Sequence, residues 1–337
     1  MPKLTTTTTI LLTTLALTAS AIPQSAPTCK SWPGFTALKN LFIFGDSYTQ
    51  TGFNTSLSQP SASTPLGNPP YPGWTSSNGP NWVDYLTVKY NASKLLTYNL
   101  AWGGATVDAA LAKPYASSVH SLVDQVEKDW MPKYASGNMR AKWMGRDSLF
   151  GMWVGINDVS GRYGDADFKN VDKIFKVWAR LVEELYSSGA RNFLFMDVPT
   201  IERSPQSQKY PTTLAKLTEF EKYWAKQIAD VLVKTVNRHA DATVVTYSTY
   251  DLFERVLKDP KSTPQTSKLT VITPEFCQAY KDGNVNGDQV KTGCKGTPNQ
   301  YFWLNDLHPT PAIHEATAAE VAKALIAVPA NACAPKL

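Results

Sequence analysis

The chain predicts an α/β fold with a mostly parallel sheet covered by helices on both faces, and three observations predict it. Five short apolar runs recur at intervals, amphipathic stretches separate them, and several runs end abruptly in Gly, Asn, Asp or Ser. The runs are Leu41–Phe44, Leu95–Ala101, Ser148–Val154, Asn192–Val198 and Thr243–Tyr247. The first is too short for a helix of its own and apolar on both faces, as a buried parallel strand requires.

The intervening helices are expected at Trp82–Tyr90, Val119–Tyr134, Phe168–Ser188 and Leu214–His239, with a last one from about Pro311 to Val328. In the third, Val171, Ile174, Phe175, Val177, Trp178, Leu181, Val182 and Leu185 recur with spacings of three and four, which puts the apolar residues along one face. Gly189 follows as a C-terminal stop. Residues 51–80 break the alternation. They are rich in Ser, Pro, Gly and Asn with Tyr71 and Trp74 embedded, and a connection this long is more often functional than structural.

The first 21 residues are read as a secretory signal peptide, with Lys3, a short apolar stretch from Ile10 to Leu17, and the small-residue site Ala19-Ser20-Ala21. The apolar stretch is too short to span a bilayer. Residues 22–337 then form one domain of a secreted, extracellular protein with no membrane span, and a monomer is expected. Removing the leader lowers the formal charge from +5 to +4, without basic clusters, so nucleic acid is not an expected partner. The sequons at Asn54 and Asn91 are candidate glycosylation sites.

Four cysteines allow three pairings. Cys277 and Cys294 flank a polar, Gly-rich loop, so pairing them is the economical choice, and Cys29 with Cys333 would then tie the termini together. No Cys or His spacing suits a metal, so neither metal nor cofactor is expected.

Function in this architecture belongs at the carboxyl ends of the strands. The first run exits into Gly45-Asp46-Ser47, the second into Asn99 through Thr106 with the pair Gly103-Gly104, and the third into Gly155-Ile156-Asn157-Asp158. Near the end of the chain, Asn305-Asp306-Leu307-His308-Pro309-Thr310 precedes the last helix. His120, His239 and His314 fall in helix-like segments and are read as structural. His308 alone lies in a pre-helical turn beside a carboxylate.

Four stretches in this order, FGDSYTQTG, NLAWGGAT, VGIND and DLHPT, resemble the motifs of the GDSL esterases and lipases, also called SGNH hydrolases. The likeness runs from Phe44 to Thr310 and is greatest to the fungal secreted branch, similar to the acetylesterases of carbohydrate esterase family sixteen. It implies a three-layer α/β/α flavodoxin-like fold and ester hydrolysis through a serine acyl-enzyme, with Ser47, Gly104, Asn157 and His308 in the family's four named positions. The Gly-x-Ser-x-Gly elbow of α/β-hydrolases is missing around Ser47.

The chemistry follows from the residue types. A serine hydroxyl needs an adjacent base, which a neutral His308 supplies. The oxyanion of the tetrahedral intermediate needs preorganised donors, for which the Ser47 and Gly104 N–H groups and the Asn157 amide are the candidates. Many relatives carry Asp three residues before the histidine. Here that residue is Asn305, and the carboxylate is Asp306, two before. In an extended segment residues two apart share a face, so Asp306 is expected to orient His308. A Ser–His dyad, a backbone carbonyl or another carboxylate are the alternatives.

The expected activity is removal of acetyl groups from plant-cell-wall saccharides. Trp74 and Trp303 are candidate sugar-binding residues, whereas Trp102 and Trp153 are expected in the core. A lipase or phospholipase of the same family is the alternative, disfavoured by the polar 51–80 loop. A carbohydrate-binding protein without catalysis is the second alternative.

Overall fold

A computed structural model describes residues 30–135, 140–160, 169–281 and 287–331. The residues read as a signal peptide, and the expected partners Cys29 and Cys333, lie outside these. Five strands form one sheet, β1 (Asn40–Gly45), β2 (Leu96–Asn99), β3 (Ser148–Trp153), β4 (Asn192–Met196) and β5 (Thr243–Tyr247). Every pairing is parallel, in the order β2-β1-β3-β4-β5. β1, β3 and β4 are buried along their whole length, which explains their unbroken apolar runs.

The helices are α1 (Trp82–Val88), α2 (122–134), α3 (Ile156–Ser160), α4 (Lys169–Ser187), α5 (214–237), α6 (Thr249–Lys258) and α7 (Pro311–Ala327). Both α2 and α5 contain a π-helical stretch, Gln125–Trp130 and Ile228–Val233. α1 packs on α7 and α7 on α6, while α2, α4 and α5 pack together on the opposite face. This division follows from right-handed crossovers, because β1 leads to β2 on one side while the later strands are added on the other. The order of strand addition reverses between β1 and β3, and a crevice opens there beyond the strand ends.

Helix starts are set by local chemistry. Asn81 accepts the Val83 and Asp84 N–H groups, and Ser121 caps α2 with Asp124 returning to the Ser121 N–H. The second helix therefore begins at Leu122, three residues later than its apolar periodicity suggested. At the far end of α4, Gly189 takes φ +110°, as expected for a helix stop. Cys277 and Cys294 are joined with a Cα–Cα distance of 5.5 Å. Among the described residues, no helix is long and apolar enough to cross a membrane.

Candidate active site

β1 delivers Ser47 to the crevice. The turn after Gly45 closes when the Asp46 carbonyl accepts the Thr49 and Gln50 N–H groups, at 3.0 and 2.9 Å. The buried Asp46 carboxylate accepts the Tyr48 N–H at 3.0 Å, and burial pushes its pKa up to about 7, against backbone hydrogen bonds from Tyr48 and Ile156. Asn81 and Asn99 both donate to the Thr49 carbonyl, at 2.9 and 2.6 Å, so two buried amides brace the same turn.

His308 arrives from a loop closed on itself. Trp303 pairs with Pro309, and the Leu304 N–H donates to the His308 carbonyl at 2.9 Å. The Tyr48 hydroxyl donates to the Leu307 carbonyl at 2.5 Å. His308 Nε2 stands 2.8 Å from Ser47 Oγ, and His308 Nδ1 stands 3.1 Å from Asn305 Oδ1. The Asn305 oxygen also accepts the Leu307 and His308 N–H groups, at 2.9 and 2.7 Å, which identifies it as the acceptor end of the amide. Nδ1 against it must therefore carry the proton, which leaves Nε2 bare toward the serine hydroxyl. Burial lowers the His308 pKa to about 4, with the Asp306 charge pulling the other way.

This geometry corrects the expectation for Asp306. Its carboxylate pairs with Lys209 at 3.7 Å and its side chain is 40% exposed, while Asn305 occupies the place behind the imidazole. The segment is not extended. An Asx turn folds 305–308 back, and residue three before the histidine comes under the ring.

The loop after β2 is tied to both neighbouring loops. Its Trp102 N–H donates to the Gly45 carbonyl, and Val107 N–H donates to the Asp158 carboxylate. Gly104 has φ +82°, and a Cβ there would strike the Tyr115 ring, so only glycine fits. The Ser47 and Gly104 N–H groups donate to no described residue. Asn157 donates to the Ala105 carbonyl at 2.9 Å, which fixes its amide and leaves a second N–H to direct at substrate.

The tryptophans divide differently from expectation. Trp303 is fully buried on Phe302 and Phe253, so it cannot touch substrate. Trp102, expected in the core, is 40% exposed and stacks on His120 with centroids 4.4 Å apart. Trp153 is buried as expected, and Trp74 is 71% exposed. Trp74 stands between two cavities. A polar one of about 620 Å³ is lined by Thr75, Ser76, Asn78, Lys281, Asn305 and His308. An apolar one of about 580 Å³ is lined by Phe53, Leu57, Pro69, Pro70, Trp74 and Trp102. Sequence reasoning missed Gln50, whose Oε1 accepts the Gly103 N–H and whose Nε2 donates to the Trp74 carbonyl at 3.3 Å. A neutral side chain just past the motif serine carries no signal of that role.

The remaining histidines are structural in their contacts. His120 pairs with Asp129 at 2.7 Å and His239 with Glu183 at 2.7 Å. His314 is buried against Tyr48.

The family described as GDSL-like lipase/acylhydrolase matches residues 41–321. The chain belongs to this family. An acetylesterase of Thermothelomyces thermophilus is 33% identical over 314 residues, covering 93% of this chain and 97% of the relative. A GDSL esterase/lipase of Arabidopsis thaliana is 23% identical over 334 residues, covering 84% and 87%. An acetylxylan esterase of Geobacillus stearothermophilus aligns over 86% of this chain and 95% of its own, at 16% identity and a TM-score of 0.46, too loosely to bear on substrate. This GDSL hydrolase is a carboxylic ester hydrolase.

Proposed function

We propose that this GDSL hydrolase is a secreted acetylesterase that removes acetyl groups from plant-cell-wall saccharides, with Ser47 as nucleophile and His308 as base. The observation that carries the reading is the contact of Ser47 Oγ with a His308 Nε2 left unprotonated by Asn305. Attack forms the bond from Oγ to the carbonyl carbon and moves the serine proton to Nε2. The oxyanion is held by the Ser47 and Gly104 N–H groups and the Asn157 amide, each worth about 2.7–4 kcal/mol of transition-state stabilisation. Collapse breaks the ester C–O bond, and His308 returns the proton to the departing alcohol. Water repeats the sequence on the acetyl-enzyme and regenerates Ser47.

The alcohol leaves on the His308 side, into the polar cavity, and this supports a hydroxyl-rich leaving group. The exposed Trp74 also lines this polar cavity and offers a face that suits a sugar ring. The acetylesterase relative supports the acyl group. Secretion rests on the leader sequence, and glycans at the exposed Asn54 and Asn91 are part of the same proposal.

The apolar cavity beside Trp102 is the observation that favours a lipase instead. Rates on acetylated xylo-oligosaccharides beside triglyceride, together with p-nitrophenyl esters of rising acyl length, separate the two. Acetate release with little action on triglyceride is expected. Faster cleavage of octanoate than acetate would move the reading to lipase.

A further inference from the structure

We propose that Gln50 sets the acyl-group size of this esterase, its side chain forming the wall between the nucleophile and the apolar cavity. The inference rests on the acetylesterase reading and deepens it. Three substituents of the tetrahedral carbon are placed by the site: the serine oxygen, the oxyanion toward Gly104 and Asn157, and the alcohol toward His308. The fourth, the acyl group, is left the side of Gln50 and Gly103. A Cβ added to Gly103 would lie 3.8 Å from the Ser47 Cβ and 2.8 Å from Gln50 Oε1, so Gln50 and the nucleophile flank the same point beside Gly103.

Beyond it lies the cavity of about 580 Å³, within the size range of pockets that hold drug-sized ligands. Its polar lining groups are already engaged. Asn68 bonds Asn54 and Ser58 through three hydrogen bonds, Asp129 bonds His120, and Lys133 bonds Thr55 and Ser56. A hydroxylated ligand would find few free partners there to replace its water, whereas an alkyl chain needs none. The cavity thus suits an acyl chain, and Gln50 is the side chain that stands in the way. Its two hydrogen bonds, to Gly103 on one side and Trp74 on the other, hold it across the gap.

The test is the ratio of kcat/KM on p-nitrophenyl octanoate to that on p-nitrophenyl acetate, in wild type, Gln50→Ala and Gln50→Met. Wild type favours acetate. Gln50→Ala raises the octanoate-to-acetate ratio by about tenfold, the worth of roughly two newly buried methylene groups. Gln50→Met keeps the bulk and loses the hydrogen bonds, so it slows both substrates and leaves the ratio unchanged. A simple prop for the oxyanion loop would lower both rates in Gln50→Ala without moving the ratio. Should Gln50→Ala not fold, Gln50→Ser is read in the same way. A ratio in the small variant within about threefold of wild type, too little for even one or two buried methylenes, overturns the wall. So does an equal shift in Gln50→Met. Either result leaves the acetylesterase reading standing if wild type still favours acetate, whereas wild type favouring octanoate overturns both.

Discussion

Asn305 does with an amide oxygen what a carboxylate does in many serine hydrolases. Its Oδ1 is pinned by two backbone N–H groups, so it cannot rotate its nitrogen toward His308 and impose the wrong tautomer. It brings no charge, however, and the imidazolium formed on attack is stabilised less than beside an Asp. Asn305→Ala is expected to lower kcat by on the order of 10²–10⁴-fold. Asn305→Asp keeps all three acceptor contacts and retains activity. Asp306→Asn, which removes an exposed ion pair, costs less than about fivefold. Steady-state kinetics on p-nitrophenyl acetate check all three, and a severe loss in Asp306→Asn with none in Asn305→Ala would reverse the assignment. The pH profile carries a second readout. Catalysis needs neutral His308, whose pKa is lowered to about 4, so kcat/KM should hold on acidification and fall only near that pH. An acidic group placed at 305 favours the protonated ring and moves this limb to higher pH. Asp306 would reach the ring only from an extended segment, and the sequence shows that Asn precedes Asp but not that Asn turns the chain. Trp303 differs from expectation for a related reason, since closeness to His308 along the chain says nothing of direction, and its ring faces the core.

At the scale of elements, most of the fold was legible. The five runs Leu41–Phe44 through Thr243–Tyr247 all became strands, and the unbroken apolar signature is clearest in β1, β3 and β4, which are buried on both faces. Ser47, Gly104 and Asn157 stood out because each follows such a run. What supports them did not, since Asn81, Asn99 and Gln125 are polar residues whose partners lie in other elements. Gln125 exchanges two hydrogen bonds of 2.9 Å with the backbone of Gly45, across eighty residues of chain. A buried carboxyl pair shows the same dependence on tertiary context. Glu221 on α5 meets Glu202 after β4, and accepts the Glu202 N–H at 3.2 Å. Burial first, then the neighbouring carboxyl, raise the Glu221 pKa far above its ordinary value. A carboxyl with a raised folded pKa favours folding most below its unfolded pKa, and this contribution is lost as pH rises toward the folded value. Glu221→Gln mimics the protonated acid at every pH. Its melting temperature should exceed that of wild type by more at pH 8 than at pH 5, measured by calorimetry. A variant less stable than wild type at pH 8 would contradict the proton on Glu221.

Over the whole molecule, residues near the two ends of the described segment come together. The Asn331 N–H donates to the Trp32 carbonyl at 2.9 Å, and the Trp32 indole donates to the Val328 carbonyl at 3.1 Å. Non-reducing peptide mapping should find Cys29 joined to Cys333 alongside Cys277–Cys294, and free thiols at 29 and 333 would contradict the first pairing. The same economy of placement serves catalysis, since β1 carries the serine early in the domain and the loop before α7 returns the histidine to it from 261 residues away. The central claim is that these two distant residues form one activated nucleophile. Treating the active protein with a p-nitrophenyl phosphonate and sequencing the peptides by tandem mass spectrometry tests it most directly. One equivalent of phosphonate on Ser47, with labelling abolished in His308→Ala, is the predicted result. Label on another residue, or an active enzyme that takes none, would contradict it.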